Sequence, residues 1–181
     1  MIRIISGKYK GKRLEGFDIE GTRPTQDRVK ESVFSMIQEE VPNSTVLDLF
    51  AGTGNLGLEA LSNGAKYAYF VDVSKEAIKK IKKNLESVPE SDYKILEMDY
   101  KCALEKFKCE NIRFSLVFLD PPYKDDTISS ILNYLVDNSL LMEDATVICE
   151  LEHDNLEESY KNLELYKTKK YGYKIVKIYK K

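Results

Sequence analysis

Four consecutive residues in the second half of the chain, Asp120-Pro121-Pro122-Tyr123, combine a carboxylate, two rigid prolines and an aromatic ring. An amine conjugated to a purine ring is a poor nucleophile because its lone pair is delocalised. The Asp120 carboxylate and the Pro121 carbonyl are acceptors for its hydrogens, which favours a pyramidal nitrogen. Proline fixes φ and holds these acceptors still, and Tyr123 can stack on an unstacked base. The tetrapeptide indicates chemistry on an exocyclic amine.

A second chemistry-bearing stretch runs from residue 46 to residue 61, where an apolar strand leads through a glycine turn into a helical pattern. Gly52 and Gly54 let the backbone approach a ligand closely, and Gly57 permits tight packing of the helix. The turn lacks the Gly-Lys-Ser/Thr of a P-loop, and Asp48 before the glycines fits a dinucleotide fingerprint poorly. A carboxylate here suits a ligand that carries a positive group better than it suits a pyrophosphate.

The glycine turn, Asp48, a further carboxylate at Asp72 and the Asp-Pro-Pro-Tyr segment form a set that resembles S-adenosylmethionine-dependent methyltransferases acting on exocyclic amines. The resemblance implies that Asp48 meets the amino group of the methionine moiety and that Asp72 accepts the ribose hydroxyls. Asp99 could accept from the adenine amine with Met98 beside the ring, although an exposed carboxylate that caps a helix is the alternative for it. The candidate cofactor-binding residues are Asp48, Phe50, Ala51, Gly52, Thr53, Gly54, Asp72, Met98 and Asp99.

Strand-like and helix-like patterns alternate from residue 45 to residue 151. Apolar runs of five or six residues, each followed by a helical pattern, predict a parallel sheet covered on both faces. Two later β-rich runs, Leu163–Thr168 and Tyr173–Tyr179, are joined by a short turn at residues 169–172 and must be antiparallel. We predict an α/β, Rossmann-like methyltransferase fold, with a mainly parallel seven-stranded sheet that ends in an antiparallel hairpin.

The beginning of the chain predicts an N-terminal β-hairpin arm. Ile2 to Leu14 reads as a strand, a turn at Ser6-Gly7 and a second short strand around Gly11, too short to be stable without a domain behind it. A helix then begins near Pro24, and Val29, Val33, Phe34 and Ile37 fall at helical spacing and should face the core. We expect a single methyltransferase domain over residues 1–181, with a basic arm at 1–21 and the helix plus Rossmann-like core at 22–181.

Charge is distributed unevenly along the chain. The first 30 residues carry eight Lys or Arg against four Asp or Glu, and the last 21 carry eight Lys against Glu164 alone. The net charge of the whole chain is −2, so the centre is strongly acidic. If both basic ends lie on one side of the fold, they form a basic rim beside the pocket that suits nucleic acid; the alternative is that the lysines only solvate outer strand faces.

The chain resembles the RsmD family over essentially its whole length. The resemblance is carried by four segments in their order and spacing: Arg3 to Leu14, Arg23 to Glu31, Asp48 to Leu61 and Asp120 to Tyr123. This resemblance implies methyl transfer to the exocyclic N2 amine of a guanine in bacterial 16S ribosomal RNA, in the small-subunit particle, with Asp120, Pro121, Pro122 and Tyr123 as catalytic residues. The arm and the Arg-Pro-Thr segment would hold the RNA. The candidate RNA-binding residues are Arg3, Lys8, Lys10, Lys12, Arg13, Arg23, Thr25 and Arg28. One departure is Asp72, where the family commonly has Glu.

Composition excludes several other classes. The chain has 43% hydrophobic and 32% charged residues, with no apolar run long enough to cross a bilayer and none at the amino terminus that predicts secretion. Cys102, Cys109 and Cys149 lack paired metal spacing, and His153 has no second histidine to share a metal. We therefore expect a cytoplasmic protein with reduced thiols, no metal and no membrane association. We also expect a monomer, although the residues do not reveal the oligomeric state.

Two alternatives to guanine methylation stay open from the residues. Adenine and guanine enzymes both use related forms of the Asp-Pro-Pro-Tyr segment, so adenine-N6 transfer on RNA or DNA is one. The other is a noncatalytic RNA-binding assembly module with a vestigial pocket, which the intact glycines and carboxylates disfavour.

Overall fold

The computed structural model describes residues 2–17, 23–89, 91–122 and 127–181, with the side chains of residues 23–26 left out of the description. The ten strands within these ranges are β1 (Ile2–Arg3), β2 (Arg13–Leu14), β3 (Thr45–Asp48), β4 (Tyr67–Asp72), β5 (Tyr93–Glu97), β6 (Phe114–Leu119), β7 (Leu141–Leu151), β8 (Ser159–Tyr160), β9 (Leu163–Tyr171) and β10 (Lys174–Lys180). The five helices there are α1 (Arg23–Met36), α2 (Asn55–Ser62), α3 (Lys75–Leu85), α4 (Tyr100–Cys109) and α5 (Thr127–Asp137).

The main sheet has the strand order β5-β4-β3-β6-β7-β10-β9-β8. Strands β5, β4, β3, β6 and β7 are parallel to one another, whereas β10 pairs antiparallel with both β7 and β9. The predicted Rossmann-like methyltransferase fold is confirmed. The sheet gains one strand over the seven expected, because β8 adds a two-residue edge to β9; two residues carry no periodicity that a sequence pattern could reveal.

Helices cover both faces of the sheet. On one face, α1, α2 and α3 pack their apolar stripes against β3, β4 and β6, and on the other face α4 and α5 close a second core. The predicted inward residues of α1 (Val29, Val33, Phe34) and Ile37 just beyond it are all buried. The Ser74 side chain accepts a hydrogen bond from the Ala77 N–H and begins α3 as an N-cap.

Three element boundaries differ from those expected. The second strand of the arm is at Arg13–Leu14 rather than around Gly11, because Gly11 has a φ of +87° that breaks extended geometry. The turn of the carboxy-terminal hairpin lies at residues 172–173, since β9 continues to Tyr171. Strand β7 begins at Leu141, earlier than the apolar run from Ala145 to Leu151 predicts, and contains Asp144 at a φ of +60°.

The arm is docked on the core rather than projecting from it. Ile4 and Leu14 are buried in the same apolar cluster as α1 and α2. Gly7 sits so close to the end of α2 that a Cβ there would lie 1.9 Å from the Ser62 carbonyl oxygen. The amino-terminal residues therefore form part of the wall of the domain, and their placement depends on what holds them to α2.

Candidate active site

A cavity of about 790 Å³ opens at the carboxyl edge of the parallel strands. It lies where β3 and β6 end, and its lining includes Asp48, Gly52 and Asp120 together with residues of the arm. Open parallel sheets bind ligands at this edge, and the volume lies in the usual range for a small-molecule site. The two motifs that the sequence singled out thus share one cavity although they lie far apart along the chain.

The glycine turn has the backbone conformation that its residues predict. Gly52 and Gly54 have φ values of +54° and +79°, in the region that side chains rarely adopt. The Gly54 N–H donates to the Ala51 carbonyl at 2.6 Å, and α2 begins at the next residue. Gly57 allows the helix to approach β4, because a Cβ at this position would lie 2.3 Å from Cε1 of Phe70. Thr53 and Ala51 also line the cavity.

Asp48 is a buried carboxylate, only 3% exposed. Its Oδ2 accepts the Gly57 N–H at 3.0 Å. Burial raises the pKa of Asp48 to about 7; the Gly57 hydrogen bond opposes the rise, and Asp120, Asp72 and Glu150 add to it. Every charge that acts appreciably on this carboxylate is therefore negative. A positive group in the cavity would restore its ionised form, which is the property expected of a site for a cationic ligand.

Asp72, at the end of β4, supports the glycine turn from the side. Its Oδ2 accepts the Gly52 N–H at 2.8 Å, and its Oδ1 accepts the Ser74 N–H at 2.8 Å. Each oxygen keeps a lone pair.

Asp99 is exposed and caps α4 by accepting the Lys101 N–H at 2.8 Å, which is the alternative that the sequence left open. Neither Asp72 nor Asp99 nor Met98 lines either of the two described cavities, and their part in cofactor binding stays a prediction.

Asp120 follows β6 directly and stands at the boundary of two cavities. The second, of about 230 Å³, is lined by Asp120, Pro121 and Pro122, and Tyr123 lies outside the described residues. Loss of hydration raises the pKa of Asp120, Glu150 raises it further, and Lys174 opposes the rise. Because 46% of the side chain is exposed, water screens these interactions.

Segment 14–17 of the arm forms one wall of the larger cavity. Buried Asn84 of α3 ties this segment to the glycine turn: its Oδ1 accepts the Glu15 N–H at 2.7 Å, and its Nδ2 donates to the carbonyls of Glu15 at 3.0 Å and Thr53 at 2.9 Å. The Lys80 ammonium donates to the Gly16 carbonyl at 2.9 Å. Sequence reasoning missed Asn84. Its only sign in the sequence is that it is a polar residue among the apolar positions of α3.

A buried ion pair fixes the base of the arm. Lys30 of α1 lies 2.8 Å from a carboxylate oxygen of Glu59 in α2 and also donates to the Arg3 carbonyl at 2.7 Å. The Glu59 carboxylate accepts the backbone N–H groups of Ile5 and Ser6. Burial lowers the pKa of Lys30, and the Glu59 charge partly offsets this. Sequence reasoning also missed the Lys30–Glu59 pair. Its only sign in the sequence is a charged residue within the apolar stripe of each helix.

The basic residues of the arm are placed at the surface. Those expected to contact RNA and described in the structure are all exposed: Arg3, Lys8, Lys10, Lys12, Arg13 and Arg28. Arg13 lines the mouth of the larger cavity, and Arg3 lies 3.7 Å from Asp27. The side chains of Arg23 and Thr25 lie outside the described residues.

The lysines near the end of the chain divide into two groups. Five of the eight each form an ion pair within the fold: Lys161, Lys174, Lys177, Lys180 and Lys181. Lys167, Lys169 and Lys170 of β9 are exposed, so they remain candidates for contact with an anionic partner.

Together the fold and the cleft define a Rossmann-like methyltransferase. Within the ranges that the structure covers, no helix is long and apolar enough to cross a bilayer, and no three His, Cys, Asp or Glu side chains gather as a metal ion requires. The chain belongs to the RsmD family: the family model described as Conserved hypothetical protein 95 matches residues 2–180.

Known proteins resemble the chain over most of its length. Ribosomal RNA small subunit methyltransferase D of Haemophilus influenzae is 34% identical over 179 residues, which cover 98% of this chain and 93% of that protein. The Escherichia coli protein of the same name is 32% identical over 154 residues, or 85% and 76% of the two chains. The solved structure of the yhhF protein of Escherichia coli matches with a TM-score of 0.86 at 29% identity, covering 99% of this chain and 97% of that one.

Proposed function

We propose that the chain transfers a methyl group from S-adenosylmethionine to the exocyclic N2 amine of a guanine in the 16S RNA of the small ribosomal subunit, as a single-domain cytoplasmic monomer. The observation that carries this proposal is the shared cavity. It brings Asp48 and the glycine turn, which suit a cationic cofactor, together with Asp120, which suits an amine acceptor. Relatives at 32% and 34% identity that are named for small-subunit ribosomal RNA support the choice of substrate.

The residues of the cavity fit this cofactor. A buried carboxylate with a raised pKa and further negative charges nearby, Asp48, favours an ammonium group. Gly52, at a positive φ, presents its backbone to the cavity without a side chain. Asp72, which supports the turn from outside the cavity, retains lone pairs for ribose hydroxyls. When bound, S-adenosylmethionine supplies an electrophilic methyl group on its sulfonium sulfur.

Asp120 prepares the acceptor amine. Its carboxylate and the Pro121 carbonyl take hydrogen bonds from the two N2 hydrogens, so the nitrogen lone pair is withdrawn from the ring and directed at the methyl carbon. S-adenosylmethionine, held by Asp48 and the glycine turn, would supply the methyl group for the new N–C bond, and its sulfur would keep the electron pair of the S–C bond that breaks. The surplus N2 proton passes to the Asp120 carboxylate or to water. The raised pKa of Asp120 makes it a better acceptor of that proton than an ordinary aspartate.

The substrate side rests on the basic rim. The exposed cations of the arm border the cavity at Arg13, where they can hold phosphates while one base enters. The base must be unstacked to reach Asp120, and Tyr123 is the residue on which we expect it to stack.

The proposal is tested by incubating the protein and radiolabelled S-adenosylmethionine with small subunits that lack the modification, and in parallel with free RNA and DNA, followed by analysis of the labelled nucleoside. We expect label in N2-methylguanosine at one RNA site. Methylated adenine would support the alternative reaction, and cofactor binding without transfer to any substrate would support the assembly module.

The role of Asp120 is tested with Asp120→Asn and a matched control, Asp144→Asn. Asp144 is an exposed aspartate near the start of β7, at the opposite edge of the sheet. We expect Asp120→Asn to lower kcat by about 100- to 1,000-fold, as for the loss of one charge-stabilising group, with cofactor affinity within a few-fold. The control should turn over like the wild type. Wild-type turnover in Asp120→Asn would remove this residue from the mechanism.

A further inference from the structure

Two charged side chains beside Asp120 have no part in the methyl transfer described above. Glu150 lies near the end of β7, and Lys174 begins β10, so both reach the edge of the sheet at which β6 delivers Asp120. The three residues are the ones that line both the larger and the smaller cavity. They therefore form the partition between the cofactor side of the cleft and the Pro-Pro side.

The three groups make a tight but incompletely paired cluster. The Lys174 ammonium donates to Oε2 of Glu150 at 2.7 Å, and it lies 3.9 Å from Oδ2 of Asp120, which is too far for a hydrogen bond. Glu150 is 9% exposed and Lys174 is 22% exposed at the side chain. Since an ammonium has three donors and a carboxylate about four acceptor sites, both groups keep bonding capacity directed at the cavities they line.

Burying such a pair is costly, and it gives little net stability compared with apolar residues of the same size. Stabilisation of the fold is therefore a poor explanation for the Glu150–Lys174 pair. Because the pair lies where a base must be held, contact with that base is a better one. The carboxylates of Asp120 and Glu150 are two acceptors, and the Lys174 ammonium beside them is a donor. This set complements the hydrogen-bonding edge of guanine. Guanine presents the N2 amine and the N1–H as donors next to the O6 acceptor, whereas adenine presents N1 as an acceptor.

We propose that Glu150 and Lys174 select guanine, Glu150 by accepting the N1–H and Lys174 by donating to O6, while Asp120 holds the N2 amine. The inference rests on the proposed methyl transfer and names the residues that give it base specificity. A purine with a lone pair at N1 would meet the Glu150 carboxylate as acceptor against acceptor. Such a mismatch leaves buried polar groups unpaired, which is the strongest basis for rejecting a wrong substrate.

The test uses small subunits reconstituted from RNA in which the target guanine is replaced by 2-aminopurine. This base keeps the 2-amine but has a lone pair at N1 and no O6. We expect the wild type to prefer guanine by at least about tenfold in kcat/KM, the discrimination typical of a mismatched base contact. Glu150→Gln supplies an amide N–H to N1, so it should lower kcat/KM on guanine by about 10- to 100-fold and on 2-aminopurine by less than about threefold.

A second variant and a control separate selection from folding. Lys174→Met should also lower transfer to guanine more than transfer to 2-aminopurine, because only guanine loses a contact. Glu152→Gln removes the same charge two residues further along, outside the larger cavity, and should leave the preference unchanged. Thermal melting of each variant checks that the fold is intact.

The outcomes distinguish this inference from the proposed function. A wild type that does not methylate the guanine subunits overturns both. A wild type that methylates guanine, together with a Glu150→Gln enzyme that loses rate equally on both bases, overturns the selection of guanine and leaves methyl transfer standing. Collapse of the preference in Glu150→Gln but not in Glu152→Gln supports it.

Discussion

Replacing Asp48 by Asn should make the free protein more stable while it weakens cofactor binding. Asp48 is buried with negative charges around it, so its ionised form, which predominates above pH 7, is held in the fold at a cost. Asparagine has nearly the same shape and can still accept the Gly57 N–H that Asp48 accepts at 3.0 Å. The substitution thus removes the unfavourable charge and keeps the contact. Sites that are prepared for a ligand commonly carry such a stability cost.

The magnitude follows from the pKa. The pKa of Asp48 is raised from 3.8 to about 7, and each unit corresponds to about 1.4 kcal/mol. The charge therefore costs at most ~4 kcal/mol well above pH 7. The hydrogen bond from Gly57 is weaker to an amide than to a carboxylate, and relaxation of the fold lowers the penalty further. We expect a gain in the free energy of unfolding of about 1–3 kcal/mol at pH 8.

The stability gained by Asp48→Asn should increase as the pH rises. An acid whose pKa is higher in the folded state takes up its proton more readily when folded, so its destabilising effect is complete above pH 7. The effect disappears as the pH falls from about 7 towards the unfolded value near 4. Urea unfolding of the wild type and of Asp48→Asn at pH 8 and at pH 5 should show a difference at pH 5 less than half of that at pH 8. Calorimetry at pH 8 should show cofactor affinity lowered at least about tenfold.

Glu59 is a second buried carboxylate, and it contrasts with Asp48 because its hydrogen-bond and ion-pair partners are already present in the fold. The Lys30 ammonium and the N–H groups of Ile5 and Ser6 all contact its carboxylate oxygens. Glu59→Gln should therefore destabilise the protein, by about 1–3 kcal/mol for hydrogen bonds to a charged group. A stability of Asp48→Asn equal to or below that of the wild type at pH 8, or a gain that does not change with pH, would refute the view that Asp48 is held ionised for a cationic ligand.

Three further substitutions test how the site is held. Gly57→Ala should cost about 1–3 kcal/mol of unfolding free energy in urea titrations, because its Cβ would lie 2.3 Å from Phe70. Lys30→Met should cost about 3–5 kcal/mol by the same measurement, because Glu59 would be left buried without its cation, and should expose the arm to limited proteolysis. Asn84→Ala removes three hydrogen bonds between the arm, α3 and the glycine turn, and should raise the cofactor Kd about tenfold in calorimetry.

The first two of these have a control in the same chain. Gly172→Ala, at a turn with open space around it, should cost no more than the ~1–2 kcal/mol of its left-handed backbone. Lys83→Met breaks an exposed pair with Glu86 and should change stability by less than about 1 kcal/mol. A Lys30→Met protein as stable as Lys83→Met, or an Asn84→Ala protein with wild-type cofactor affinity, would contradict the assigned contacts.

The positions of the chemical residues were predictable because they follow from strand ends. Asp48, Asp72 and Asp120 each close an apolar run, and parallel strands bring their carboxyl ends to one edge. The role of Gly57 was likewise predictable, because a glycine early in a helix after such a turn implies close packing. These inferences need only local patterns and one topological rule, and the structure confirms the fold that they imply.

The contacts that complete the site were not predictable in this way. Asn84 reaches Glu15 across 69 residues, and Lys30 reaches Arg3 and Glu59 from a different helix. No period in the sequence records a hydrogen bond between elements so far apart. The only local sign is a polar residue on an otherwise apolar helix face, and that sign does not identify the partner.

The charge pattern explains why a single base, and not the backbone, is the part of a nucleic acid that suits the cleft. Asp48 lines the larger cavity, and the charges that shift its pKa are those of Asp120, Asp72 and Glu150, so a phosphate brought next to it would meet negative charge at low dielectric. A neutral base meets no such penalty. Exposed cations lie on the arm, whose Arg13 reaches the cavity, and phosphates there stay hydrated and attracted. For an RNA substrate, an exposed basic arm beside a buried carboxylate favours the extrusion of one base from its stack, because the phosphates then stay at the surface while only the neutral base enters the cavity.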